Sequence, residues 1–458
     1  MENKAQTAQE AKVFPHLPYA PYDDNVDLYV DSQTNLGYGT AIPYEYSGWR
    51  NEVLSWKQNC YLHAGLNPPW SYRVTGPDGM KLFSDISVNS YANFPIGRIK
   101  HCIMCNEEGL IMMHGVLMRV DEEEYLTSYL APYTAYKLAT GNYRAQGEFV
   151  FDIFVLQLGG PRALEILEAA TGECVHDIKF GHQRMSKIDG IEVRLVRMGM
   201  AGTLAYEVQG NTRDCVDVYN ALMKAGEPFG ITKLGFRAYQ MNHTENGFPQ
   251  SFVHFPVPWF EDRGFMEFLG KMNMPRFKPA LLLGSIGPDM RARYRNPIEL
   301  GWEKTVKFDH EFIGRAALEK EAANPRRQVV TLEWNPEDVV DVYASFFRPE
   351  EPYMEMEQIH FAQAKGANAL TADQVLKDGK MVGISSGRTY SLYYRQMISM
   401  CSINTEHSAI GTEVSVLWGN PGMRQKEIRA KVARFPYLNE NRNENVDVST
   451  IPCRFKGF

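Results

Sequence analysis

The sequence predicts an α+β protein, in which a body of duplicated sheet-and-helix units is followed by a C-terminal β-barrel. Two observations predict it. A strand, a Gly-Pro turn and a helix follow one another at Tyr72–Asp85 and again at Phe154–Glu168. A polar, proline-containing break at Ala322–Arg327 then precedes a segment rich in short strands. In each copy glycine supplies the turn. Pro77 or Pro161 stands at the helix start, where a missing N–H costs nothing. Repetition at this scale implies that each helix packs across a sheet.

The remaining elements follow in order. Glu192–Arg197 alternates polar and apolar residues as a half-buried strand does. Thr212 to Ala225 reads as a helix capped by Thr212 and stopped at Gly226. A further helix is expected over Ala316–Glu321. Beyond the break, Gln328–Trp334, Met381–Ser385, Met397–Ile403 and Glu413–Trp418 read as barrel strands. Asn439 to Phe458 is polar and is expected to wrap the surface. The resulting division is an extension (1–46), a body of two subdomains (47–325), the barrel (326–437) and a tail (438–458).

Composition narrows the class. The chain has 458 residues, 44% hydrophobic and 22% charged, with a formal charge of −7, which is ordinary for globular proteins. Negative charge and dispersed Lys and Arg argue against nucleic acid or an anionic membrane as partner. Seven scattered cysteines form no disulfide framework, and the N-terminus has no apolar signal core. A reducing cytoplasm is the expected compartment.

Three segments carry potential chemistry: Met198–Glu207, Gly235–Gly247 and Glu299–Arg315. Each sets a carboxylate, a guanidinium or an aromatic ring beside small residues that admit a flat ligand. Spacing alone leaves Glu207 a surface residue on a strand, Tyr239 a core tyrosine and Trp302 a packing residue. His114 reads as a histidine packed in an apolar strand, and Glu245 as an ion-pair partner of Arg237. Gly383–Gly387 satisfies Gly-x-Ser-x-Gly, but a strand-like stretch follows where a nucleophile elbow needs a helix. Cys102-x-x-Cys105 lacks a second ligand pair, so no metal is assigned. No dinucleotide fingerprint and no Walker A loop occurs.

Taken together and in this order, the three segments resemble the aminomethyltransferase (T-protein) family of the glycine cleavage system. Within it they are most similar to the tetrahydrofolate-dependent aryl-ether O-demethylases of vanillate and syringate type. The resemblance spans roughly Ser47 to Tyr437. It implies a folate channel through the body, with tetrahydrofolate as cofactor and a small aromatic ether as substrate. Glu207 then maps onto the glutamate that accepts the pterin N3–H and 2-amino group. Arg237, Glu245 and Trp302 map onto neighbouring folate contacts. Tyr239, in an Arg-Ala-Tyr triplet, maps onto the tyrosine that meets the ether oxygen.

Departures from the family pattern are informative. His114 stands where the family has an aspartate, so glycine cleavage itself is not expected and the imidazole becomes the candidate proton donor. The places of a substrate carboxylate clamp fall on Gly65, Asn67, Pro68 and Leu130, with only Arg119 or His63 nearby. A neutral or more apolar donor follows, lined by aromatics such as Trp70, Tyr72, Phe252, Phe255 and Trp259. The leading reading is O-demethylation giving 5-methyl-tetrahydrofolate and a phenol. Methylene transfer from a methylenedioxyphenyl compound, sulfonium or amine demethylation, and non-catalytic folate binding stand as alternatives. The oligomeric state is left open.

Overall fold

The computed structural model describes residues 19–31, 41–64, 71–200, 202–272, 281–356, 369–453 and 455. Most of the 1–46 extension lies outside them, as do Gly65, Asn67, Pro68 and Trp70 of the expected substrate pocket.

The duplicated unit is built twice in the same way. Strand Ser71–Thr75 turns into helix Gly79–Ile86, and strand Ile153–Gly159 into helix Ala163–Thr171. Each proline lies in the turn just ahead of its helix. Gly76 and Gly160 have φ of 123° and 134°. A Cβ on either would fall 2.7 Å from the Arg144 carbonyl oxygen or 2.5 Å from that of Asn59. Those same carbonyls accept the N–H groups of Asp78 (3.3 Å) and Arg162 (3.0 Å). Only glycine permits this close approach.

The two sheets exchange a strand. The first has the order Ile99–Cys105, Ile111–Asp121, Glu124–Ser128, Ser71–Thr75, Gln146–Val150. The second runs Gln183–Ile188, Ile191–Val196, Ala205–Asn211, Ile153–Gly159, Cys60–Ala64, Ile231–Lys233. Cys60–Ala64 leads into the first unit yet pairs with Ile153–Gly159 of the second. Gln146–Val150 leads into the second unit yet pairs with Ser71–Thr75. Where the sheets meet, Ile99 N–H donates to Gly181 O and Gln183 N–H to Gly97 O, each at 2.9 Å. The halves are therefore related by a local two-fold.

Alternation along the central strands of the second sheet sends Leu62, Leu156, Leu158, Tyr206 and Val208 into a core with helices Trp49–Gln58, Ala163–Thr171 and Cys215–Gly226. Full burial of one such side chain stabilises by about 1.5–3 kcal/mol. The opposite face is polar and becomes the site. The strand expected at Glu192–Arg197 is Ile191–Val196. The helix expected from Thr212 opens as a 3-10 turn, Thr212–Asp214, before Cys215–Gly226. Its cap is Asn211, whose side chain accepts Arg213 N–H, not Thr212.

Six strands close the barrel in the order Ala369–Lys377, Lys380–Ser391, Gln396–Asn404, Arg327–Trp334, Lys426–Ala433, Glu413–Trp418, with first and last paired. Leu281–Leu283 adds to it in parallel from within the body. Gly383–Gly387 lies inside one of these strands. Ser385 is buried and donates to Ser399 Oγ at 2.8 Å, so the elbow reading is excluded. Cys102 and Cys105 are buried thiols on one strand. The tail does more than wrap the surface, since Leu438 and Val448 enter the core of the second unit. No helix among the described residues is long and apolar enough to cross a membrane.

Candidate active site

The polar face of the second sheet sets three side chains in one cross-strand row. His63 lies opposite Gln157, and Gln157 opposite Glu207. All three are buried. Gln157 Oε1 accepts from Tyr61 Oη (2.9 Å) and from His63 Nε2 (3.2 Å). With its proton on Nε2, His63 leaves a buried Nδ1 lone pair without a partner, and Gln157 Nε2 has no acceptor. Burial pushes His63 down to about 3, so the ring is neutral. Glu207 Oε2 accepts from Gln209 Nε2 at 3.0 Å. Burial pushes this carboxyl up to about 7, with Gln209 pulling weakly the other way. Unmet buried polar atoms carry a cost that a ligand's own donors and acceptors can remove.

Helix Phe236–Glu245 crosses above this row, and Tyr239 and His243 lie one turn apart on its inner face. The Tyr239 ring meets His63 edge-on at 5.4 Å and His243 at 4.6 Å. Its hydroxyl accepts from Gln250 Nε2 at 3.4 Å and shares a hydrogen bond with the Tyr129 hydroxyl. The Met200 sulfur, a weak acceptor, lies 3.8 Å from the same hydroxyl. Burial pushes this phenol up to about 12, so it stays a donor. Tyr129 sits at φ 66°, left-handed for a bulky residue. Gly115 makes room for it, because a Cβ there would lie 2.8 Å from Tyr129 Cβ. His243 donates from Nδ1 to Tyr239 O at 2.8 Å, which places its Nε2 lone pair beside Met200 Sδ at 3.0 Å. A thioether cannot donate, so this imidazole nitrogen is another acceptor awaiting a donor.

The wall continues through Phe248 to a pair of histidines and Trp302. His114 and Trp302 ring centroids are 4.9 Å apart, His101 and Trp302 4.7 Å, and Phe255 stacks on His114 at 5.9 Å. His114 Nε2 accepts Ser251 N–H at 3.2 Å. Its proton is therefore on Nδ1, donated to His101 Nε2 at 3.2 Å, which places the His101 proton on Nδ1. Burial lowers both rings, His101 to about 4 and His114 well below the ordinary imidazole value, so both are neutral near pH 7.

The structure thus brings Glu207, Tyr239, His114 and Trp302 onto one continuous wall. It does not bring Arg237 and Glu245 there. Helical phase turns both away from Tyr239. Arg237 pairs with Glu45 at 2.6 Å and lies over the Trp49 ring. Glu245 accepts from Trp56 Nε1 (3.2 Å) and Ser391 Oγ (2.7 Å), with Lys57 at 3.6 Å. The two are not each other's partners, and both serve packing between helix, body and barrel. Arg119 spends its guanidinium on the carbonyls of Phe94, Asp121 and Glu122, so it is no carboxylate clamp. Tyr72 packs on Phe149, and Trp259 donates to Met112 O at 2.6 Å. Gln157, His243, His101 and Phe248 were not singled out in the sequence. His63 entered only as a neighbour of the clamp.

Similarity to known proteins extends over most of the chain. The GCVT N-terminal domain profile matches residues 37–252. A protein named sesamin methylene transferase, from Sinomonas sp., is 44% identical over 422 residues, covering 90% of this chain and 93% of that one. A syringate O-demethylase from Sphingobium sp. is 31% identical over 440 residues, covering 90% and 93%. Among solved structures, the glycine cleavage system aminomethyltransferase T from Bartonella henselae superposes with a TM-score of 0.63 at 16% identity. It covers 90% of this chain and 96% of that one, which establishes the shared fold.

Proposed function

Because the chain belongs to the family defined by the GCVT N-terminal domain, and its buried polar row is unmatched, we propose that it moves a one-carbon unit from an aryl ether to tetrahydrofolate. The row His63–Gln157–Glu207 carries the reading. It offers a carboxylate, an amide N–H pair and an imidazole lone pair, all buried, to a flat ring edged with donors and acceptors. A pterin has such an edge, and the residues fit it. Bound reduced folate supplies the N5 amine that takes the one-carbon unit.

Glu207 grips N3–H and the 2-amino group as a charge-assisted fork, worth more than a neutral pair. Gln157 donates to the neighbouring carbonyl edge. Tyr239 offers its hydroxyl proton, otherwise facing the weakly accepting Met200 sulfur, to the ether oxygen and stabilises the charge that gathers there as the carbon–oxygen bond breaks. Trp302, Phe248 and Phe255 exclude water from the aromatic end, which strengthens each of these interactions. The named wall residues include no cation, which suits a neutral aromatic donor. Seven free thiols fit a reducing cytoplasm.

Methylene transfer from a methylenedioxyphenyl group is the second reading. Two carbon–oxygen bonds break in that reaction, so two oxygens need a donor. The His114–His101 pair, with its remaining proton on His101 Nδ1, provides a second donor beside the Tyr239 hydroxyl. The 44% identity to the Sinomonas protein favours it as well.

Anaerobic incubation with tetrahydrofolate and a panel of methoxy- and methylenedioxy-aromatics, with folates identified by mass, decides between them. Methyl-tetrahydrofolate with a phenol supports demethylation, and methylene-tetrahydrofolate with a catechol supports the second reading. Folate bound without any one-carbon product would overturn both and leave a sulfonium or amine donor or a binding protein.

A further inference from the structure

On the helix-covered side of the second sheet, opposite the candidate site, four side chains from two distant parts of the chain converge without explanation by folate chemistry. Glu168 stands near the end of helix Ala163–Thr171. Cys174 and His176 follow it in the next loop, and Cys453 arrives on the C-terminal tail. One ligand atom of each lies within 4.8 Å of all the others. Cys453 Sγ is 3.5 Å from Glu168 Oε1, and His176 Nε2 is 3.2 Å from the same oxygen.

Hydrogen bonding does not account for the cluster. Glu168 has no exposed surface, and its Oε2 is buried without a hydrogen-bond partner. Neither does the buried His176 Nε2 form a hydrogen bond. Besides the imidazole, the donors facing Glu168 are the Val175 N–H, which bonds Oε1 at 3.2 Å, and two thiols, which are weak ones, and Oε2 is left unmet. A buried carboxylate left so poorly answered is expensive, and a cation at the centre would answer it.

We propose that Glu168, Cys174, His176 and Cys453 form a structural zinc site that fastens the C-terminal tail to the second repeat. Two sulfurs, one imidazole nitrogen and one carboxylate oxygen are a donor set that zinc takes tetrahedrally. Zinc bonds of about 2.0–2.3 Å place tetrahedral ligand atoms about 3.3–3.8 Å apart. The two separations above are already near that range. Binding releases the two thiol protons, and four protein ligands leave no open position for catalysis.

The fastening bears on the site described above. Between the barrel and Cys453 the tail runs past the loop that leads into the Glu207 strand. There Asn443 N–H donates to Gly202 O at 2.9 Å and Asn443 Nδ2 to Ala205 O at 3.2 Å. Arg197 Nη2 donates to Asn443 O (3.0 Å) and Val446 O (2.8 Å). A tail fixed at Cys453 holds that loop in place.

The test uses the full chain without a histidine tag, stripped with chelator and titrated with zinc, or with cobalt(II) as a spectroscopic probe. About one equivalent should bind, and cobalt should give the thiolate charge-transfer and intense visible bands of a tetrahedral site. Cys453→Ser and Cys174→Ser should abolish the bands, and Cys102→Ser should keep them. The wild-type chain supplies a check that no variant need fold for. Alkylation of Cys174 and Cys453, mapped by mass, should be slow with zinc and fast after chelation. Absence of the cobalt bands, equal alkylation with and without zinc, or a Cys174–Cys453 disulfide in a non-reduced digest of freshly purified protein would each overturn the site.

Discussion

The two repeats share a turn, a two-fold and a strand exchange, yet the same row of three residues has opposite fates in them. In the second repeat the row is His63–Gln157–Glu207. Register through Thr75 opposite Glu124 and Gly159 opposite Ala205 places Glu148–Arg73–Leu126 at the matching positions of the first. There Arg73 bridges Glu148 at 2.7 Å and Glu124 at 3.0 Å, half-exposed to water, while Leu126 packs on Ile99, Met118 and Val196. The first repeat instead contributes His101 and His114. His101 stands where the second repeat exposes Met185. Duplication supplied a frame twice, and what covers each face decided its chemistry. A polar row roofed by helix Phe236–Glu245 becomes the proposed ligand edge, whereas the same row, open to water at Arg73 and Glu148, becomes an ion pair beside a packed leucine.

On the proposed function that contrast divides labour: the second repeat grips, the first assists turnover, and Tyr239 stands between them. The largest expected effect is from Tyr239→Phe, which should lower kcat by about 10²–10³ and leave folate affinity nearly intact. A smaller loss, in a variant that binds folate normally, would remove Tyr239 from the leaving oxygen. Glu207→Ala should weaken tetrahydrofolate binding by about one to two orders of magnitude, read by calorimetry, with kcat at saturation little changed. Unaltered affinity in a folded variant would dissolve the distinction between the rows.

His114→Phe should reduce turnover about tenfold, toward the low end of proton-transfer contributions, and spare affinity. Equal turnover would return that histidine to packing. Folate affinity should also fall with acid, by about tenfold per pH unit below pH 7. The sign follows from Glu207, which sits near 7 in the free protein and must be ionised to accept two N–H groups. Glu207→Gln should flatten the profile. The smallest effect is reserved for Arg73→Ala, which should leave folate affinity unchanged and cost at most about 1 kcal/mol in denaturant titration. A loss of affinity there would show that the first repeat's row also reaches the ligand.

Sequence reading reached the duplicated turns because Gly-Pro between a strand and a helix is local chemistry. It reached Glu207 and Tyr239 through a family resemblance. Arg237 and Glu245 were drawn into the site by sitting in the same short segment as Tyr239, and helical phase separates them from it. Phe236–Glu245 has a weak apolar stripe because its polar residues are buried on every side, in the cavity or against the barrel, so its inner face could not be read from periodicity. Gln157 and His243 gain meaning only from register and tautomer. Gln157 lies in an apolar strand and His243 in the segment read for Tyr239, and their unmet atoms show only when neighbouring strands and the Tyr239 carbonyl are in place. Glu168 and Cys453 are 285 residues apart, beyond any spacing rule for metal ligands. Strands Ala369–Lys377 and Lys426–Ala433 went unread as well, and they complete the barrel.

The exchanged leading strands make His63 a resident of both halves. The chain delivers it at the entrance to the first repeat, while its hydrogen bond and its place in the row belong to the second. Neither half can then be separated, shuffled or replaced as an independent cassette. Cutting between them would remove a strand from each sheet and the imidazole from the ligand row in one stroke. An ancestor assembled from single repeats would have had to work as a dimer, with each copy lending its first strand to the other.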